Sequence, residues 1–285
     1  MGTSSSYKGP KGVNPLLPPW ADPPPDVPAT GDDGTPPPDD GVAPESAPPP
    51  PVRPAVSWRG PKQALTRLAH SGGGGGGAGR GSYRSTMRSY VRARHGATTA
   101  ARSAVAGRTA TARLGGFLAQ GIRDGFAAVA RRFGIDHLGR DVQFVLAAFV
   151  DLLAPDGAQL DEAAARKAVI DTITELFELY DVATNGIEAL DHLTEDGMRE
   201  AITLSIANVI DQKFQQDLAS RVEDGRMSER AANELMEHAG DFIRGIVEID
   251  TGTIDILSLD WDSKEGRDLV QQMYETAYSL LENPT

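Results

Sequence analysis

The stretch Glu195–Glu223, EDGMREAITLSIANVIDQKFQQDLASRVE, decides the class of fold that we predict. Most of its apolar residues are spaced three or four positions apart, which places side chains on one face of an α-helix. They are Ile202, Leu204, Ile206, Val209, Ile210, Phe214 and Leu218. Glu223-Asp224-Gly225 ends the pattern, and a glycine at such a position favours the end of a helix.

The same spacing recurs on both sides of this stretch. The further helices that it predicts cover about 138–153, 160–181, 229–248 and a final segment up to Leu281. Asp262 and Glu265 resemble a capping box at the start of the final helix. Residues 249–261 are the one stretch with a β-like composition. We therefore predict an all-α fold, a bundle of about six or seven helices.

Proline marks the boundary between this bundle and a tail. Of the 20 prolines, all but Pro155 and Pro284 lie at or before Pro61. A proline-, glycine- and aspartate-rich chain buries too little apolar surface to offset the entropy of ordering. We predict three regions: a disordered Pro/Gly-rich tail over 1–82, an Arg- and Ala-rich helical segment over 83–133, and an acidic helical body over 134–285.

The charges are separated along the chain. The net charge is −12. It divides into zero over residues 1–82, +9 over 83–132 and −21 over 133–285. A basic segment beside a strongly acidic one indicates that the two meet, within one chain or between chains.

Several classes of function receive no support from the sequence. There is no cysteine, which excludes disulfides and thiolate chemistry. The glycine run around Gly74 and Gly79 has Arg80 and Gly81 where a phosphate-binding loop requires lysine and serine or threonine. We find no histidine pair at metal-ligand spacing and no apolar run long enough to span a membrane. We expect a cytoplasmic protein that is not an enzyme, needs no cofactor or metal and does not bind a membrane.

An arginine stripe supports a different class of function. Arg84, Arg88 and Arg92 recur every four residues and so share one face of a helix. Arginines in such an array neutralise phosphates, so a nucleic-acid-binding module using residues 84–132 is the alternative that we keep. The acidic residues downstream compete with nucleic acid for the same arginines. Contact with an acidic protein surface is therefore a second interpretation of the stripe.

The N-terminus is the best chemical candidate in the chain. A small residue follows Met1, so removal of the methionine leaves Gly2 with a free and unhindered amine. The island Leu16, Leu17 and Trp20 is apolar in an otherwise solvated tail and suggests a short motif that docks on a partner. Gly2 with Ser6 also fits the N-myristoylation pattern, which would require a second membrane signal for stable anchoring.

Three features of the chain resemble the QatB family, the B component of the bacterial Qat antiphage defence system. They are the opening MGTSSSYKGP at Met1–Pro10, the following NPLLPPW at Asn14–Trp20, and the glycine run that leads into Tyr83-Arg84-Ser85. The resemblance implies a component without activity of its own. Its partners would be a QueC-like enzyme, QatC, and further an ATPase and a TatD-like nuclease.

The resemblance also implies a chemical role for the N-terminus. QueC enzymes use ATP to build a nitrile on a deazaguanine, and a QueC-like enzyme of a defence system would join the deazapurine to a protein N-terminus instead. Gly2 is the position at which this chain would be modified. The neighbouring residues that the enzyme would read are Thr3, Ser4, Ser5, Ser6 and Tyr7.

Overall fold

The computed structural model describes residues 58–70, 77–135, 137–218, 229–249 and 254–284. All of them belong to the unit that runs from Arg53 to Thr285. Every regular element within these ranges is helical, which confirms the prediction of an all-α fold. The predicted disordered tail falls mostly on residues outside the described part of the chain.

The described ranges contain eleven α-helices and one 3-10 helix, Ile187–His192. The α-helices are α1 (Arg59–His70), α2 (Gly77–Ala93), α3 (Ala97–Ser103), α4 (Val105–Asp124), α5 (Phe126–Arg132), α6 (Val142–Leu153), α7 (Leu160–Leu179), α8 (Val182–Asn185), α9 (Glu195–Leu218), α10 (Glu229–Ile246) and α11 (Lys264–Glu282). Breaks divide the Arg- and Ala-rich segment into α2 to α5. Gly96 and Gly125 form two of them with φ angles of 87° and 85°, a conformation that glycine adopts without strain.

Two helices begin inside stretches that composition assigned to the tail. α1 packs against α2, and its Leu68 is buried. Trp58, just before α1, has its ring centroid 5.9 Å from that of Tyr90 in α2. α2 itself begins at Gly77, within the glycine-rich run. Burial of an apolar residue against a neighbouring helix stabilises a segment that its composition alone does not mark as folded.

Side-chain caps fix the starts of two helices. The Asp141 carboxylate accepts a hydrogen bond from the backbone N–H of Gln143 at 2.7 Å and starts α6. The Ser263 hydroxyl accepts from the N–H of Gly266 at 3.0 Å and starts α11. The capping box expected from Asp262 and Glu265 does not form at the start of α11, because Ser263 occupies the N-cap position and Gly266, three residues on, has no side chain to complete it.

The stretch 249–261 does not form a strand where it is described. Its residues 254–261 form turns, and Ile256 and Trp261 are buried. The indole N–H of Trp261 donates to the backbone carbonyl of Ile256 at 3.1 Å. The β-like composition thus reflects the burial of apolar side chains beneath a turn. The hairpin position at Thr251 and Gly252 lies outside the described residues.

Helix α4 lies at the centre of the fold and contacts α5, α7, α9 and α11. Its glycines permit this close packing. A Cβ atom at Gly107 would lie 2.4 Å from Val209 of α9, and one at Gly115 would lie 2.4 Å from the ring of Trp261. Large aromatic side chains fill the rest of the core. The fully buried ones are Tyr90, Phe126, Phe149, Phe214, Tyr274 and Tyr278.

A set of buried and partly buried charged and polar side chains packs beside this core. Asp161 in α7 binds Lys213 of α9 through one carboxylate oxygen and accepts from the backbone N–H of Ala106 through the other, at 2.9 Å. Arg94 pairs with Asp217, which also accepts from the hydroxyl of Tyr90 at 3.2 Å. We call these five side chains, Asp161, Lys213, Arg94, Asp217 and Tyr90, the polar layer.

Burial and charge act together on the ionisable groups of this layer. Burial raises the pKa of Tyr90 well above its usual range, and Tyr278 adds to the effect. Burial alone would lower the pKa of Arg94, but the tyrosines and Asp217 around it raise the pKa above its ordinary value. Both shifts favour neutral tyrosines beside a charged arginine. None of the helices in the described ranges combines the length and apolar character needed to cross a membrane.

Candidate partner-binding surfaces

The N-terminal site residues predicted from the sequence lie outside the described part of the chain. They are Gly2, Thr3, Ser4, Ser5, Ser6, Tyr7, Leu16, Leu17 and Trp20. Their roles therefore stay predictions from the sequence, and the structure contributes the body that follows them.

The predicted arginine stripe lies on α2. Arg84, Arg88 and Arg92 are all exposed and follow one another at successive turns of the helix. The guanidinium of Arg88 donates to the backbone carbonyl of Glu282 at 3.1 Å, at the end of α11. A cation at the C-terminus of a helix interacts favourably with its dipole. Arg88 thus has a structural contact, and Arg92 stands exposed one turn further along.

A second set of arginines lines a groove that the sequence did not indicate. Arg108 and Arg113 of α4 line one cleft of about 350 Å³ together with Arg267 of α11, and Arg123 of α4 lines a neighbouring cleft of about 360 Å³. The two clefts share Trp261 and Asp262 and therefore adjoin, and we call them together the arginine groove. Its small lining residues on α4 are Ala112, Gly116 and Ala119. No pattern in the sequence predicts that the downstream Arg267 lies near the arginines of α4.

Three of the four guanidinium groups of the groove are hydrogen-bonded to backbone carbonyls rather than paired with carboxylates. Arg108 donates to the backbone oxygen of Arg102 at 3.2 Å, Arg123 donates to that of Leu257, and Arg267 to that of Asp262. The Nε of Arg108 is buried and has no acceptor. Within the described ranges, none of the four groove arginines forms an ion pair. Asp260 and Asp262 also line the groove, but neither forms an ion pair with these arginines in the described part of the chain.

A cleft of about 320 Å³ between α9 and α10 has a different electrostatic character. Its Arg199 pairs with Glu195 and donates to the carbonyl of Ile254 at 2.8 Å. Its Arg244 lies 3.2 Å from Glu175 and also donates to Asn208. The cations of this cleft are already compensated, so it offers less electrostatic attraction to an anionic partner than the arginine groove.

One carboxyl group has a strongly altered pKa. Burial raises the pKa of Asp211 to about 6, against the opposing effects of its hydrogen bond from Gln215 and of Arg244. One oxygen accepts from Gln215 at 2.7 Å, and the other is buried without a partner. The carboxyl faces the backbone of α10, where a Cβ atom at Gly240 would lie 3.2 Å from it. This enclosed position favours an effect on stability over a catalytic role.

A buried histidine lies in a small cleft near α6. The side chain of His137 is only 5% exposed, and neither ring nitrogen has a hydrogen-bond partner. Its Nε2 lies 3.6 Å from a carboxylate oxygen of Glu188. Exposed Leu138 and Phe144 lie close by, with the Arg140 guanidinium 5.1 Å above the Phe144 ring. In the described residues, acidic and histidine side chains do not gather in groups of three that could hold a metal ion.

A family comparison gives the biological context of this body. A family model described as Qat anti-phage system associated protein QatB matches residues 96–281, from just before α3 to the last turns of α11. The chain is accordingly a component of an anti-phage defence system. In particular, it belongs to the QatB family. The searches of curated proteins and of solved structures gave no match.

The residues matched by the family model include one candidate surface and leave out the others. All four arginines of the groove lie within residues 96–281. The stripe Arg84, Arg88 and Arg92 and the whole N-terminal segment lie before it. The features that carried the resemblance at Met1–Trp20 and the body that carries the family match are thus different parts of the chain, and they lead to the same family. QatB is a component associated with the defence system and is not a known enzyme family.

Proposed function

We propose that this chain is a non-enzymatic adaptor of the Qat defence complex, and that its N-terminal Gly2 is a substrate of the QueC-like partner QatC. The observation that carries the proposal is the combination of a QatB body with an N-terminus of the QatB type. The helical body docks partner proteins, and the long proline-rich segment before it delivers the N-terminus to the enzyme. The ATPase and the TatD-like nuclease of the system are the further partners.

The chemistry of Gly2 suits this role. After removal of Met1, Gly2 has a free primary amine, and the α-carbon next to it carries no side chain that would hinder the amine. In its unprotonated form the amine attacks an ATP-activated acyl carbon of the deazapurine. An amide bond forms, the bond to the activating phosphate breaks, and the nitrogen loses a proton to solvent. A proline-rich chain is extended and thin, which suits entry into an enclosed active site. Thr3 to Tyr7 are the residues that the enzyme reads.

Mass spectrometry of the N-terminus tests the proposal. The full-length chain, co-expressed with the other Qat components, should carry an adduct on the peptide that begins at Gly2. The variant Gly2→Pro should lose the adduct and still co-purify with QatC, because proline replaces the primary amine with a hindered secondary one. Gly2→Ala is the matched control, since it retains a primary amine. An unmodified N-terminus in the presence of active QatC would rule the proposal out.

The apolar island of the tail is a second point of attachment in this proposal. Leu16, Leu17 and Trp20 bind a groove on the partner, which holds the N-terminus near the active site. Replacing all three residues by alanine should lower both the amount of co-purified QatC and the extent of Gly2 modification. Replacing Val13 and Val27 by alanine is the control, because it removes apolar atoms on either side of the island. Equal modification in both variants would exclude a role of the island.

Nucleic-acid binding is a second candidate function, because the arginine stripe on α2 is exposed. In this alternative, Arg84, Arg88 and Arg92 contact phosphates, and each lost contact reduces the salt dependence of binding by about one unit of the log–log slope. Titration of the full chain with labelled DNA and RNA at several salt concentrations measures that slope. Arg92→Glu should weaken binding if the alternative holds, and Arg230→Glu on α10 is the control. Absence of salt-dependent binding removes the alternative.

A further inference from the structure

We propose that the arginine groove is the surface on which the body binds an extended acidic segment of a partner protein. This inference rests on the adaptor role proposed above and assigns the surface that performs it. It concerns residues of α4 and α11, and is therefore separate from the N-terminal segment and from the arginine stripe on α2.

The first argument is the lack of charge compensation in the groove. The body is strongly acidic, and six described arginines outside the groove form an ion pair with a carboxylate, for example Arg132 with Asp124 at 2.9 Å. Arg108, Arg113, Arg123 and Arg267 form no such pair among the described residues. Like charges held close together repel each other, and an anionic partner relieves this repulsion. Guanidinium groups also bind carboxylates in a bidentate geometry, which favours arginine over lysine for this task.

The second argument is the shape of the groove. Arg108 and Arg123 are fifteen positions apart on one helix, which corresponds to about 22 Å along its axis. An extended peptide of about seven residues covers this length. Between the two arginines, the small residues Ala112, Gly116 and Ala119 line the clefts and add no bulk that would fill them. Thr109 and Gln120 provide polar groups along the same face.

An apolar region adjoins one end of the groove and favours a protein over a nucleic acid. Val105, which lines the first cleft, is 57% exposed at the start of α4. Leu160, at the start of α7, is 78% exposed and precedes Asp161, whose carboxylate binds the N–H of Ala106. Apolar side chains on a partner can cover these two residues. Asp260 and Asp262 also line the groove, and they repel the dense, continuous negative charge of a phosphate backbone more than a peptide whose carboxylates are spaced apart.

Charge reversal in the intact complex tests this assignment. The double variant Arg113→Glu/Arg267→Glu of the full-length chain, co-expressed with the other Qat components, should retain its helical circular dichroism spectrum. It should lower the amount of co-purified partner about tenfold, since reversed charges repel an acidic segment. The matched control is Arg131→Glu/Arg230→Glu, which changes the net charge equally at two exposed arginines outside both the groove and the arginine stripe. The control should co-purify its partners as the unmodified chain does.

Cross-linking identifies the occupant. A photoreactive phenylalanine derivative at Thr109, within the groove, should form a cross-link to a partner peptide with an excess of aspartate and glutamate, found by peptide mass spectrometry. Cross-links to nucleic acid, or to a partner segment without such an excess, would overturn the proposal. Undiminished co-purification of the groove variant would overturn it as well.

The same samples separate this inference from the proposed function. If the unmodified chain carries no Gly2 adduct, the proposed modification fails regardless of the groove. If the adduct is present and the groove variant binds its partners normally, the adaptor and substrate roles stand and only the assignment of the surface fails.

Discussion

The polar layer and the arginine groove use similar side chains in opposite ways. In the polar layer, Arg94 and Lys213 are enclosed and each is bound to a carboxylate. In the groove, Arg113 and Arg267 are exposed on the surface and bound to no carboxylate among the described residues. The first set is committed to the fold, because a buried charge without its partner is strongly destabilising. The second set contributes little to stability, and its charge is available for binding.

The largest effect is expected from breaking the polar layer at Asp161. The variant Asp161→Ala leaves the buried ammonium of Lys213 without a partner and removes the acceptor of the Ala106 N–H. It should lower the free energy of unfolding by about 4 kcal/mol. Urea denaturation followed by circular dichroism measures this change. Arg230→Ala, which breaks an exposed pair with Glu234, is the control and should unfold like the unmodified chain. A small effect of Asp161→Ala would show that the layer is not essential to the fold.

A double-mutant comparison at Arg94 and Asp217 sharpens the same contrast. Asp217→Ala should lower the free energy of unfolding by about 3 kcal/mol, because Arg94 is left enclosed with an uncompensated charge. The double variant Arg94→Met/Asp217→Leu should recover all but about 1 kcal/mol, since it removes both charges and fills their space. If the double variant is as unstable as the single one, the hydrogen bonds of Tyr90 and Ser103 carry the stability instead.

The third effect depends on pH and concerns Asp211. Its pKa is raised by burial from an ordinary value of 3.8 to about 6, so folding favours the protonated form. Its contribution to stability is therefore complete below about pH 4 and is lost as the pH rises through about 6. Asp211→Asn, which cannot ionise, should increase the free energy of unfolding at pH 8 by about 2 kcal/mol and have little effect at pH 4.

Denaturation curves at a series of pH values check the prediction for Asp211. Glu237→Gln, at an exposed carboxylate on α10, serves as the control. The difference in stability between Asp211→Asn and the unmodified chain should grow between pH 4 and pH 6, whereas the difference for the control should stay constant. A pH-independent difference would contradict the pKa assigned to Asp211.

The smallest effect is expected in the groove. Arg113→Ala should change the free energy of unfolding by no more than about 0.5 kcal/mol, because the side chain is exposed and forms no ion pair. Thermal and urea denaturation provide the measurement. A clear loss of stability would show that Arg113 supports the fold, and the contrast between the two sets of arginines would then be lost.

The helices could be predicted from the sequence because their signals are local. The apolar spacing around Ile202, Ile206 and Val209 is visible without any structure, and α9 follows it from Glu195. The break at Gly125 depends on a positive φ angle, which the residue type permits but does not require. The stretch around Ile256 has strand-like residues, but burial beneath a turn determines its conformation.

The groove could not be predicted because it depends on tertiary contacts. Arg267 and Arg113 lie more than 150 positions apart, and no periodicity relates them. Their proximity depends on Gly115, which gives Trp261 room to pack against α4. The sequence does indicate that the 83–132 segment has an excess of positive charge. It does not show which of its arginines are neutralised by the folded chain.

The position of Trp261 gives the groove an optical reporter of its own. The indole is 3% exposed and lines both clefts, and its N–H is bound to the carbonyl of Ile256. The chain has three tryptophans, so replacing Trp20 and Trp58 by phenylalanine leaves Trp261 as the single indole emitter of the chain. Because Trp20 belongs to the apolar island of the tail, the titration uses a tryptophan-free acidic peptide. A peptide bound in the clefts alters the polarity around the indole, and the emission wavelength should shift as the peptide is added. The occupation of the groove can thus be followed in solution, in real time and without an attached dye.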